Sequence, residues 1–194
     1  NNPAAKLSII LFVMNKEKDL AISLPVQISE LARGLIFATT CILSFFVPFL
    51  LGHPQWLVGT IVNACLFLGA VLLPKKYFLP LAILPSLGVM ARGLVFGPFT
   101  YFLIYFLPFI WLGNLVLILV FKNLFSRLDY VVSVVLSSVA KYLFLFAIAS
   151  VYFKFHFVPA MFLQAMGLNQ LATAFSGGLI SFIVWKIYQQ RQKN

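Results

Sequence analysis

Six stretches of about twenty mostly apolar residues follow one another in this chain, at residues 28–51, 56–73, 78–96, 99–121, 130–152 and 166–188. Each is about as long as an α-helix must be to cross the ~30 Å hydrocarbon core of a bilayer. In lipid a backbone has to satisfy its own hydrogen bonds, which leaves helices and closed barrels. Continuous apolar segments of this length select helices. The expected fold is an all-α membrane protein, a bundle of about six transmembrane helices. Composition supports lipid as the solvent. The chain is 62% hydrophobic and 9% charged, with a mean hydropathy of +1.03, whereas a water-facing domain carries about 25% charged residues.

The membrane domain occupies residues 28–190, and residues 1–27 form an N-terminal extension. Lys6 precedes an apolar run over residues 7–14 that is too short to span and lacks a small-residue cleavage site. An interfacial or cytoplasmic helix is expected there. The breaks between spans are chemically sensible. Gly52, His53 and Pro54 close the first; Pro74, Lys75 and Lys76 close the second. Residues 93–98 part the third from the fourth, and residues 122–129 the fourth from the fifth. Residues 153–165 are expected to be the longest internal loop.

Basic residues collect on the cytoplasmic side of membrane helices. One side of the bundle would hold Lys6, Lys16, Lys18 and Arg33, then Lys75, Lys76, Lys122 and Arg127, then Lys186, Arg191 and Lys193. The other would hold Arg92 and Lys154. This asymmetry predicts an integral membrane protein with both termini cytoplasmic. The net charge of +10 is thereby explained by the bilayer. Nucleic acid is not an expected partner, because no polar stretch combines clustered basic and stacking aromatic residues.

The acids are Glu17, Asp19, Glu30 and Asp129, all on or near the cytoplasmic face. No carboxylate lies at mid-membrane, where proton-coupled transporters commonly place Asp, Glu or His relays. His53 and His156 fall in outer loops, and neither a His-Glu-x-x-His helix nor a Gly-x-Ser-x-Gly turn is present. Cys41 and Cys65 lie in separate apolar segments without further ligands nearby. No catalytic residue, metal site or cofactor is expected, and the chain reads as a protein other than an enzyme.

The sharpest feature is Lys141, with about ten apolar or small residues on either side. Snorkelling covers only part of a ~15 Å half-bilayer, and an intramembrane lysine is a functional candidate by default. Ser133, Ser137 and Ser138 extend a polar stripe along its helix. The lysine is either bonded to carbonyls within the bundle, or neutral through desolvation, or an open positive site for an anionic or acceptor-rich ligand. Asn63 in the second span and Asn114 in the fourth, with Trp111 one turn before it, are either helix–helix glue or parts of the same pocket. Asn169 and Gln170 open the last span at the outer level, near Gln55, Trp56, His53 and Arg92. Aromatics with a few convergent polar groups are what ligand pockets contain. Gly34 and Ala38 form a small-xxx-small pair on the first helix, and Ser176, Gly177 and Gly178 thin the last one. Pro80 and Pro85 in the third span and Pro108 in the fourth are expected to bend their helices.

Together these features resemble the S components of energy-coupling factor (ECF) transporters, membrane subunits that capture vitamins. The residues that carry the likeness are Gly-Thr-Ile-Val-Asn-Ala at 59–64 and Pro-Phe-Ile-Trp-Leu-Gly-Asn at 108–114. Ser-Ser-Val-Ala-Lys at 137–141 and Gln-Leu-Ala-Thr-Ala-Phe-Ser-Gly-Gly-Leu-Ile at 170–180 complete them. The resemblance implies a six-helix fold with both ends inside and a pocket toward the outer side of a bacterial or archaeal cell membrane. It implies a small water-soluble vitamin or precursor as ligand, bound by Lys141, Asn114, Asn63, Trp111, Asn169 and Gln170. It also implies a coupling membrane subunit and two ATP-binding-cassette ATPases as partners, with Gly34 and Ala38 on the contacting face. That face matches the family in part, since the family usually shows a longer alanine series. The alternative is a non-catalytic structural or assembly subunit of a larger complex, in which Lys141 pairs with an acid from a neighbouring chain.

Overall fold

The computed structural model describes residues 28–51, 53–93 and 101–193. They form α1 (Glu30–Leu51), α2 (Gln55–Leu72), a 3-10 turn (Lys75–Tyr77), α3 (Phe78–Arg92), α4 (Leu103–Phe125), α5 (Tyr130–Lys154), α6 (Met161–Met166) and α7 (Leu168–Lys193). No strand occurs among the described residues. Five segments are long and apolar enough to cross a membrane: α1, α2, α4, α5 and Met161–Arg191, as expected of an integral membrane protein.

Four boundaries differ from the sequence-based expectation. The third span stops at Arg92 after 15 residues, about 22 Å at 1.5 Å per residue. Its end has a local cause. Gly93 takes φ +87°, and its N–H returns to the carbonyls of Val89 and Met90, a left-handed helix stop that a glycine adopts without strain. The remainder of that span, and the start of the fourth, lie outside the described residues, as does the N-terminal extension at 1–27. The fourth helix starts at Leu103 and runs on to Phe125. The segment expected to be the longest loop contains α6. After it, α7 continues to Lys193, beyond the expected end at 188. Pro80 falls in the first turn of α3, where its missing N–H costs nothing, whereas Pro48, Pro85 and Pro108 lie inside α1, α3 and α4.

Short connections make successive long helices antiparallel. The ends of the bundle therefore differ in charge: Lys75, Lys76, Lys122 and Arg127 gather at one end, with Arg92 and Lys154 at the other. The charge-rich half is filled with hydrocarbon. Leu66, Phe67, Leu117, Ile118, Phe121 and Val134 are fully buried there. Below them Tyr130 stacks on Trp185 and Phe125 meets both rings edge-on, with the Lys186 ammonium 5.3 Å from the Trp185 ring centre. Aromatic rings and amphipathic cations at such a level are what a membrane interface favours. Helix ends are closed by long cations. Lys122 donates to the Ala70 carbonyl at 2.7 Å in the last turn of α2. Arg92 donates to Phe49 and Leu50 at the end of α1, at 3.0 and 2.6 Å. Both satisfy carbonyls that a helix terminus leaves without a donor.

α2 runs through the centre and packs most extensively on α7. Glycine makes that approach possible. A Cβ on Gly177 would lie 2.7 Å from the Ala64 nitrogen and the Thr60 oxygen, so the backbones of α2 and α7 almost touch. Gly178 is closed in the same way by Val134 of α5. By contrast α1 is peripheral. Only Thr40, Ser44 and Pro48 are buried along it, Gly34 and Ala38 are exposed, and a Cβ on Gly34 would meet nothing within 4 Å.

This contrast predicts the effect of side chains added at the two glycines. Gly177→Leu should force α7 off α2 and cost at least about 1–3 kcal/mol, read as a lower unfolding midpoint in detergent. Gly34→Leu should change stability by less than about 0.5 kcal/mol. Equal effects at both positions would contradict the close α2–α7 contact.

Candidate ligand-binding site

A cavity of about 160 Å³ lies in the charge-poor half, and every helix supplies part of its wall. A single water needs about 10–15 Å³ on the same measure, so the space suits a larger guest. α2 contributes Gln55, Val58, Val62 and Asn63; α3 contributes Pro85, Ser86 and Val89; α4 contributes Ile110 and Asn114. α5 adds Lys141, and α7 adds Asn169, Gln170 and Thr173.

Lys141 sits near the middle of α5 and is 2% exposed. Its Nζ donates to Asn63 Oδ1 at 2.8 Å. Asn63 uses its amide hydrogens as well, toward the Gly59 carbonyl at 2.8 Å and Thr173 Oγ1 at 3.3 Å. Thr173 in turn donates to the Asn169 carbonyl at 2.7 Å. A polar chain thus runs from α5 through α2 into the first turns of α7. Small residues set its geometry. A Cβ on Gly59 would lie 2.9 Å from Thr173 Cγ2, so glycine there lets the threonine hydroxyl reach Asn63. Ser133 and Ser137 on α5 turn back to the carbonyls of Asp129 and Ser133, while the buried Ser138 Oγ has no hydrogen-bond partner among the described residues.

The opposite wall is a two-rung ladder between α3 and α4. Asn114 donates to the Ala82 carbonyl at 2.9 Å, next to the Leu81 carbonyl that Pro85 leaves without its helical donor. One turn along, Trp111 Nε1 donates to Ser86 Oγ at 2.5 Å. Trp111 is not itself among the cavity residues; it stands behind Ser86, which is. Gly113 makes room for Leu145 of α5, whose nearest atoms would be 3.1 Å from a Cβ.

The structure therefore brings Lys141, Asn63, Asn114, Asn169 and Gln170 around one cavity, and moves Trp111 to a supporting position. Gly34 and Ala38 lie on the outer face of α1, away from it. Sequence reasoning missed Ser86, whose only signal is a hydroxyl beside a proline in an apolar span. Gln55 and Thr173 carry a plainer signal, being polar residues in the first turns of α2 and α7. His53 and Trp56 are exposed and not part of the wall.

The chemistry on offer is donation and acceptance of hydrogen bonds around a lysine. The cavity residues include no Asp, Glu, His or Cys, and no group of three metal-ligating side chains occurs among the described residues. No protein-family model, curated protein or solved structure matches this chain.

The Lys141–Asn63 bond is open to a double-mutant cycle. Asn63→Leu strips the lysine of its acceptor and leaves Thr173 without its donor, which should cost about 2–3 kcal/mol. Lys141→Met alone should cost about 1 kcal/mol or less, and adding it to Asn63→Leu should recover part of the loss. Strict additivity of the unfolding free energies would show that the two side chains do not interact.

Proposed function

We propose that this chain is the substrate-binding subunit of an uptake system for a small water-soluble vitamin or precursor, energised by separate ATPase subunits. The observation that carries the reading is the convergence of Lys141, Asn63, Asn114, Asn169 and Gln170 on one cavity in the charge-poor half of the bundle. Buried polar groups in lipid are costly, and a bundle needing only glue would spread them over its contacts. The positive-inside asymmetry supports an outer position for that half, with both termini cytoplasmic, an orientation that suits capture of a nutrient from outside. The likeness to S components of ECF transporters supports the same reading, including a coupling subunit and two ATP-binding-cassette ATPases as partners. The exposed face of α1 around Gly34 and Ala38 is the surface proposed for the coupling subunit. The polar groups that line the cavity among the described residues are amides, hydroxyls and one amine, set in an otherwise apolar wall.

The assembly-subunit reading has less support. It requires an acid from a neighbouring chain to reach Lys141, which is buried in the interior and held by Asn63 rather than turned toward lipid.

One purification tests the reading. Mild solubilisation from the native membrane should bring down two ATP-binding-cassette subunits, a helical coupling protein and a small molecule released on denaturation. Lys141→Met should retain the protein partners and weaken binding of the small molecule by more than about tenfold, near 1.4 kcal/mol. Partners without any ligand, or a ligand indifferent to Lys141, would defeat it. Orientation is checked separately, with both native cysteines replaced by serine. A cysteine at Phe155 should react with an impermeant maleimide on intact cells, and one at Arg127 should react only after lysis.

A further inference from the structure

Resting on the capture reading above, the geometry points to the ligand's chemical class, and we infer that it is an aliphatic monocarboxylate whose far end carries a neutral hydrogen-bonding group such as an amide. An ammonium has three protons. One Lys141 proton goes to Asn63 Oδ1, and the others have no partner among the described residues. Asn63 is spent on Gly59, Thr173 and Lys141. The free valence at the deep end of the cavity is therefore a hydrogen-bond donor that an anion would hold in its charged form, and no carboxylate lines the cavity among the described residues.

The number of charges decides between anions. A buried charge is tolerated when it is paired. One lysine pairs with one negative charge, which a carboxylate carries. A phosphate monoester carries about −1.5 to −2 at neutral pH, and among the described residues the cavity offers no second cation to meet the remainder. Arg92, the nearest other cation along α3, is committed to the end of α1.

The walls describe the body of the guest. Between the lysine and the outer end they are Val58, Val62, Val89, Leu103, Ile110 and Met166. No aromatic side chain belongs to the described wall, although the chain is 16% aromatic, so a flat ring finds no stacking partner. Branched aliphatic walls suit a flexible methylene chain. At the far end Gln55, Asn169 and Gln170 are amides that make no side-chain hydrogen bond among the described residues. Each both donates and accepts, which matches a neutral polar group and gives no preference to a second charge. Gln55 and Asn63 are eight residues apart on one helix, an axial separation of about 12 Å. The charge-pairing and amide ends are thus well separated.

The test uses the whole chain in lipid nanodiscs and four probes: N-acetyl-ε-aminohexanoate, its methyl ester, the matching phosphate monoester, and para-acetamidobenzoate. Affinities are read by calorimetry or by thermal shift. The carboxylate should bind best, with the ester, the phosphate and the flat acid each weaker by at least about tenfold. Lys141→Met should bring the carboxylate down to the level of the ester, while a Gln55→Leu, Gln170→Leu variant should weaken it without removing its advantage over the ester. The inference falls if the ester or phosphate binds as tightly, if the order survives Lys141→Met, or if no probe binds in the millimolar range. Its failure is separable from failure of the capture reading. A neutral, cationic or dianionic molecule released from the native complex would overturn the ligand class alone, and a complex without transporter subunits would overturn the reading beneath it.

Discussion

A single hydrogen bond, from Lys141 Nζ to Asn63 Oδ1 at 2.8 Å, explains much of how the bundle is arranged around it. Keeping an amine at bilayer depth is expensive, so the surrounding helices must bring it an acceptor and keep lipid away. Asn63 serves as acceptor only if its amide is turned the right way. That orientation is fixed by the Gly59 carbonyl and the Thr173 hydroxyl. Thr173 comes within reach because Gly59 has no Cβ, and α7 lies close enough because Gly177 has none. The small residues of α2 and α7 are thus bound up with the polar chemistry of α5, although no two of these helices are neighbours in sequence.

The two walls of the cavity are built by different devices. On the α2–α7 side, glycine lets backbones meet and polar side chains cross the seam. On the α3–α4 side, side-chain donors of α4 reach across to α3, Asn114 to the Ala82 carbonyl and Trp111 to the Ser86 hydroxyl. The partners are one turn apart on each helix and run in opposite order, as antiparallel neighbours require. Both devices pair polar groups with one another inside the bundle, as a lipid surround requires.

Much of this was legible in the sequence, for reasons specific to membranes. Long apolar runs mark α1, α2, α4 and α5 to within a few residues, because length and hydropathy are set by the bilayer rather than by tertiary contacts. Asn63, Asn114 and Lys141 stand out because polar residues are rare against such a background. The short α3 was harder to see. Its apolar run continues past Gly93, and only the left-handed φ of that glycine ends the helix. α6 was hidden because a six-residue helix carries too little periodicity to be told from a loop. The position of Trp111 shows the limit most clearly. Its place on the face shared with Asn114 was readable, but whether it lines a space or stands behind Ser86 depends on how α3 approaches, which no spacing within α4 reveals.

The hydrocarbon layer of the charge-rich half carries one more consequence. Below Lys141 the bundle closes over Leu66, Phe67, Leu117 and Phe121, all without exposed surface, and this layer is anchored by the α2–α7 contact at Gly177. The cavity is therefore a cul-de-sac. Rotating a side chain opens no conduit through such a plug, because neighbouring rings and branched chains fill the space it vacates. Solute transfer across this chain requires whole helices to separate or the whole bundle to turn. Among the described residues this layer offers ions no opening either.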